Sequence, residues 1–116
     1  MQERFLCPQQ QALPGILGGL GPLAHIEFEQ RLLQQSFRRG ASCDQEHPAW
    51  LLLSATPTPD RTQSLLGQGA DCTPALVRSA RLLETMGAGF LVITCNTAHA
   101  FHAAVQSQVS IPWLHM

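Results

Sequence analysis

Short apolar runs bounded by glycine, proline or polar residues recur along the chain, and stretches with helical spacing lie between them. "LPGILGG" supports only a short strand before its glycines break it. Pro22 suits a first helical turn, where its missing N–H is not needed. The stretch "LAHIEFEQRLLQQSFRR" that follows carries Ile26, Leu33 and Phe37 at i, i+7 and i+11, one helical face. Arg38 and Arg39 complement the C-terminal end of the helix dipole, and Gly40 ends the helix. "AWLLLSA" is a continuous apolar run, which predicts a strand buried on both faces. Pro57 and Pro59 predict that "TPTPDRTQSLLGQGAD" is loop. Thr73 and Pro74 read as N-cap and first turn of a second helix, with Leu76, Ala80 and Leu83 as its buried stripe and "MGAG" as its stop. "FLVIT" is another buried strand, and a third helix is expected from Asn96 or Thr97, with Phe101 and Val105 facing the core. "IPWLH" is a last short strand.

The order β-α-β-α-β-α-β is that of an α/β domain, here a single lobe with a four-stranded parallel sheet flanked by helices. Residues 1–11, polar and glutamine-rich, are expected to be a disordered tail, and 12–116 the lobe. Right-handed crossovers put every strand-to-helix turn on one sheet edge, where ligands of such sheets bind. Three segments converge there: "GGLGP", "SATPTPDRT" and "TCNTAH".

Composition narrows the function classes. With 116 residues, a net charge of −1 and no basic block, the chain shows no nucleic-acid footprint. No apolar run reaches the ~18 residues of a membrane span, and the N-terminus lacks the order of a signal peptide, so a cytoplasmic address is expected. Charged residues make up only 13%, which suggests a face hidden by a partner domain or subunit. The cysteines at 7, 43, 72 and 95 form no CxxC pair and are expected as free thiols, the first three incidental, in a tail and two loops.

Cys95 differs because a buried strand delivers it to the ligand edge. A helix start there favours the thiolate, which can act as nucleophile, metal ligand or general base. Asn96 and Thr97 suit a helix cap, and the same donors can hold a carboxylate. His99 either tunes the thiol or packs against the turn. Cys95, His99 and His102 have a spacing that could hold zinc, but the absence of a clear fourth ligand argues against a metal site. Gly18, Gly19 and Gly21 make a tight turn that also permits close approach of a ligand. Gly19, Gly21 and Ala24 match a dinucleotide fingerprint, but no acid ends the second strand to hold a ribose, so NAD is discounted. Arg61, beside Asp60 and Thr62, could bind a carboxylate bidentately.

Together "GILGGLGPLA", "TPDRT", "GAGFLVITCNTAHAF" and "IPWLHM" resemble the aspartate/glutamate racemase family over about residues 13–116, and most of all its aspartate racemases. The resemblance implies the first half of a two-lobe fold. It also implies racemisation of an acidic amino acid without pyridoxal phosphate, metal or other cofactor, by two cysteines flanking the α-carbon. Cys95 matches the first catalytic cysteine. Asn96 and Thr97 match residues that hold the α-carboxylate, and Arg61 with Thr62 the segment that contacts the distal carboxylate. Gly21 joins the substrate-binding set from the first turn. The chain departs from the pattern at His25, where Thr or Ser is usual, and at Ala55–Thr56, where Asn-Pro is frequent. It also ends before the second lobe, whose cysteine and basic residue are absent, so an inactive fragment is expected, completed by a missing second lobe or a homo-oligomer. The rival readings are a non-catalytic carboxylate-binding lobe, half of a decarboxylase or hydantoin racemase, and a cysteine hydrolase using Cys95 with a histidine.

Overall fold

The computed structural model describes residues 6–7 and 9–115. The tail expected over 1–11 lies in part outside the described residues. Three strands form a parallel sheet: β1 (Pro14–Gly18), β2 (Leu51–Ser54) and β3 (Phe90–Ile93), in the order β2-β1-β3. Gly15 pairs with Leu51 on one side and Leu91 on the other. The expected fourth strand shrinks to a single bridge between Leu91 and Trp113, because Pro112 and the turn before it leave no room for a longer ladder.

Helix α1 (Pro22–Arg38) lies on one sheet face. Helices α3 (Thr73–Thr85) and α4 (His102–Gln106) lie on the other. Side chains alternate along β1, so Leu17 joins the α3 side and Gly18 lies under α1. The core on the α3 side combines Leu17, Leu91 and Ile93 with Leu76, Ala80, Leu83, Val105 and Trp113. The expected stripe of α3 is therefore its buried face, and Val105 of α4 is fully enclosed. Gly15 carries no side chain because a Cβ there would stand 2.8 Å from that of Ala88. Gly40, at φ +101°, and Gly87, at φ +107°, follow α1 and α3 as left-handed stops.

Several expectations are corrected. The apolar face of α1 points to solvent: Ile26, Leu33 and Phe37 are 46%, 40% and 56% exposed. The buried positions of α1 are His25 and Ser36, which sit about a quarter of a turn away on the face against the sheet. β2 is an edge strand with Leu52 and Ser54 exposed rather than a strand buried on both faces. Part of the proline loop is helical: α2 (Arg61–Leu65) starts after Pro59 because the Asp60 side chain accepts the Gln63 N–H at 2.9 Å. Thr73 is the first residue of α3 rather than its cap, and Cys72, expected in a loop, is fully buried in the core. Two polar ties hold the β2 edge. Trp50 donates its indole N–H to Glu29 of α1 at 2.9 Å. The Gln10 amide accepts from Ala49 N–H at 2.9 Å and donates to Ala49 O at 2.7 Å.

Candidate functional site

With β1 in the middle, the chain leaves β1 toward one edge of the sheet and reaches β3 at the other. Right-handed crossovers then require α1 and α3 on opposite faces, so the turns after β1 and β3 diverge. A crevice opens between them at the carboxyl ends of the strands, the place where open α/β sheets bind ligands. An open cleft of about 770 Å³ lies there, lined by Leu20, Ala24, Glu27, Phe28, Arg31, Thr94, Cys95 and Asn96.

One wall is the β1–α1 turn. Gly18 and Gly19 are required by packing: a Cβ on Gly18 would meet the His25 ring at 2.5 Å, and one on Gly19, at φ +83°, would meet Ala55 N at 2.5 Å. Gly21 caps α1 with nothing within 4 Å of its would-be Cβ, so its side of the turn is open space. The close approach read from the glycines is thus to the protein itself at Gly18 and Gly19, and to empty volume at Gly21.

The other wall follows β3. Thr94 still donates its N–H to Leu17 O at 3.3 Å, and its hydroxyl is buried without a partner among the described residues. Cys95 comes next, half-buried. The expected α-helix does not begin at once: Thr97–Phe101 is a 3-10 turn that runs into α4. Asn96 precedes this turn with helical φ and ψ and no side-chain cap bond, so its exposed amide is uncommitted among the described residues. His99 takes the packing role: Nδ1 donates to Cys95 O at 2.8 Å and the ring lies 5.1 Å from Trp113. His102 donates Nε2–H to Trp113 O at 3.1 Å.

Cys95 and Asn96 therefore meet in the cleft. Thr97 begins the turn behind them, half-buried. Arg61 and Thr62 belong to α2, which packs against Thr97–Phe101 rather than lining the cleft. Thr62 is exposed. The Arg61 guanidinium donates from Nη1 to Thr58 O and Pro59 O, both at 3.2 Å. Its Nε is buried without an acceptor, and it has no ion pair among the described residues. Sequence reasoning missed Glu27 and Arg31, which pair at 3.0 Å on the cleft side of α1. Their i, i+4 spacing was visible, but which flank of α1 borders the crevice was not.

Comparisons with known proteins agree with this architecture. The chain is 31% identical over 103 residues to the broad specificity amino-acid racemase RacX of Bacillus subtilis, covering 88% of this chain and 44% of that protein. Among solved structures it resembles Picrophilus torridus aspartate racemase (TM-score 0.79, 26% identity, 90% of this chain and 43% of that one). An aspartate racemase homologue from Pyrococcus horikoshii shares the fold (TM-score 0.74, 21% identity, 90% and 44%). The chain thus spans less than half the length of each of these relatives. Residues 17–116, from the last apolar position of β1 through the cleft and beyond Trp113, match the sequence profile of the Asp/Glu/hydantoin racemases, and the chain belongs to that family.

Proposed function

We propose that this chain supplies one face of a racemase site for an acidic amino acid, with Cys95 moving the α-proton. The observation that carries the reading is the half-buried Cys95 at the mouth of the β1–β3 crevice, beside the uncommitted Asn96 amide. As thiolate, Cys95 takes the α-proton and becomes a thiol, leaving a carbanion on the substrate. That charge is spread into the α-carboxylate, which the Asn96 side chain and the N–H groups of the following turn hold by hydrogen bonds. Arg61, with no ion pair among the described residues, is the cation we assign to a second carboxylate, reached from α2 on the turn side of the site rather than from the cleft wall. This favours a dicarboxylic substrate, whereas the likeness to RacX would admit a wider range of amino acids.

Inversion requires a proton delivered to the opposite face by a second acid. Cys72 is sealed in the core, Cys43 lies in the connection between α1 and β2, and Cys7 lies beside the C-terminal part of α1 with Gln35 and Arg39. None of these thiols stands in the crevice, and Glu27, which lines it, is paired with Arg31, so we assign the second acid to a second lobe or a partner chain. The test is incubation of this chain with L-aspartate in D2O. The expected result is no D-aspartate by chiral chromatography, with any deuterium at the α-carbon appearing only in L-aspartate and vanishing in Cys95→Ala. Sustained inversion by this chain alone refutes the division of labour. Separately, aspartate is expected to slow iodoacetamide labelling of Cys95, and unchanged labelling at saturating aspartate refutes the binding role.

A further inference from the structure

His25 is a polar residue that α1 buries against the sheet, 5% exposed, and the proposed proton transfer does not use it. Its Nδ1 accepts the Gly19 N–H at 2.8 Å in a buried bond. An accepting ring nitrogen carries a lone pair, so the bond belongs to the neutral imidazole with its proton on Nε2. The ring also fills the space over Gly18, where a Cβ would lie 2.5 Å from Nδ1. On its other side the turn is pressed against β2: Gly18 O accepts from Ala55 N at 2.8 Å, and Gly19 has no room for a side chain there. The turn is thus gripped between an α1 side chain and the end of β2. It then leads directly to Leu20, which lines the cleft with Cys95, and to Gly21 at the start of α1.

We infer that His25 is a positioning residue of the Cys95 cleft: by holding the Gly19 N–H it sets the conformation of Gly19–Gly21 and so the wall that faces Cys95. The ligand-binding part of this inference rests on the proposed function; the turn-holding part does not. A histidine that merely filled the core would be replaceable by any side chain of its shape. A positioning role depends on an acceptor at the Nδ1 site. His25→Leu branches at the same carbon without an acceptor, whereas the Oδ1 of His25→Asn occupies nearly the place of Nδ1.

The experiment compares the unaltered chain with these two variants. Backbone amide hydrogen exchange is read by NMR at Gly19, Ile16 and Leu17. Iodoacetamide labelling is read at the Cys95 peptide by mass spectrometry, with and without aspartate, and with exposed Cys43 as internal standard. His25→Leu is expected to speed exchange at Gly19 about tenfold or more, the effect of one buried hydrogen bond on local opening. Ile16 and Leu17 should stay within about twofold of the unaltered chain. The rate of Cys95 labelling relative to Cys43 should change by about threefold or more, and His25→Asn should return both readouts to within about twofold. Gly19 exchange that is unchanged, or that rises in step with Ile16 and Leu17, overturns the inference. So does failure of His25→Asn to restore the two readouts. If aspartate protects Cys95 in no version, the proposed function fails, while the Gly19 and uninhibited labelling results still decide the role of His25. If His25→Leu does not fold, His25→Asn decides: retained Gly19 protection and labelling rate support the role, and their loss overturns it.

Discussion

The two rim glycines of the β1–α1 turn provide a sharp test of this packing. Gly19 has φ +83°, and a Cβ there would lie 2.5 Å from Ala55 N and 2.7 Å from Thr56 N. Both obstacles are backbone atoms just past the end of β2, and Ala55 N is tied to Gly18 O, so neither can swing aside as a side chain would. Gly19→Ala therefore incurs left-handed strain of about 1–2 kcal/mol. It also incurs an overpacking cost of about 1–3 kcal/mol. The sum, about 2–5 kcal/mol, is a large part of the 5–15 kcal/mol that typically holds a domain together. Gly21 has φ −81° and open space around it, so Gly21→Ala should alter stability by less than about 0.5 kcal/mol. Urea unfolding followed by circular dichroism measures both. With a slope of about 1.5 kcal/mol per molar, Gly19→Ala should lower the midpoint by about 1–3 M and Gly21→Ala should leave it in place. A Gly19→Ala midpoint within about 0.3 M of the unaltered chain would refute the assignment of the turn.

Further outcomes follow from other parts of the fold. Leu76→Ala, at a fully buried site, should cost about 2–5 kcal/mol by the same assay, against less than about 1 kcal/mol for Leu52→Ala on the exposed side of β2; equal losses would contradict the strand order. Asp60→Ala should cost about 0.5–2 kcal/mol by removing the cap of α2, seen as faster amide exchange at Gln63 and Ser64; unchanged exchange would place the start of α2 elsewhere. The backbone N–H of Thr73 holds the Asp71 carboxyl below its ordinary pKa, with the Thr73 side chain adding to the effect. Its folded pKa lies below its unfolded one, so the bond's contribution is present above pH ~4 and is lost as pH falls through the folded value. A carboxyl ¹³C titration of Asp71 with its midpoint at or above the ordinary aspartate value would exclude that bond.

Much of this protein is legible in one dimension. The stripe Leu76, Ala80, Leu83 has one helical reading, and it is the buried face of α3. "FLVI" is too short and too apolar for anything but an interior strand, and it carries the chain to Cys95. α1 was harder, because two faces compete along it. Ile26, Leu33 and Phe37 mark one, while Phe28, Leu32 and the polar His25 and Ser36 mark another. Hydrophobicity favours the first, but the sheet takes the second, where His25 meets Gly19 and Glu29 meets Trp50. A pattern records how apolar a face is and does not record which partners a polar face will find.

The sequence by itself determined the α/β class, the delivery of Cys95 to a strand end, and the glycine turn that had to stand near it, because each follows from local spacing and backbone preference. Only the tertiary structure decided that β1 lies between β2 and β3. That order makes β2 an edge strand, opens the crevice beside Cys95, sets α2 with Arg61 against the turn that follows, and buries His25 beneath the glycines. Strand order is a matter of which distant segments pair, and that depends on burial and hydrogen bonds summed over the whole lobe.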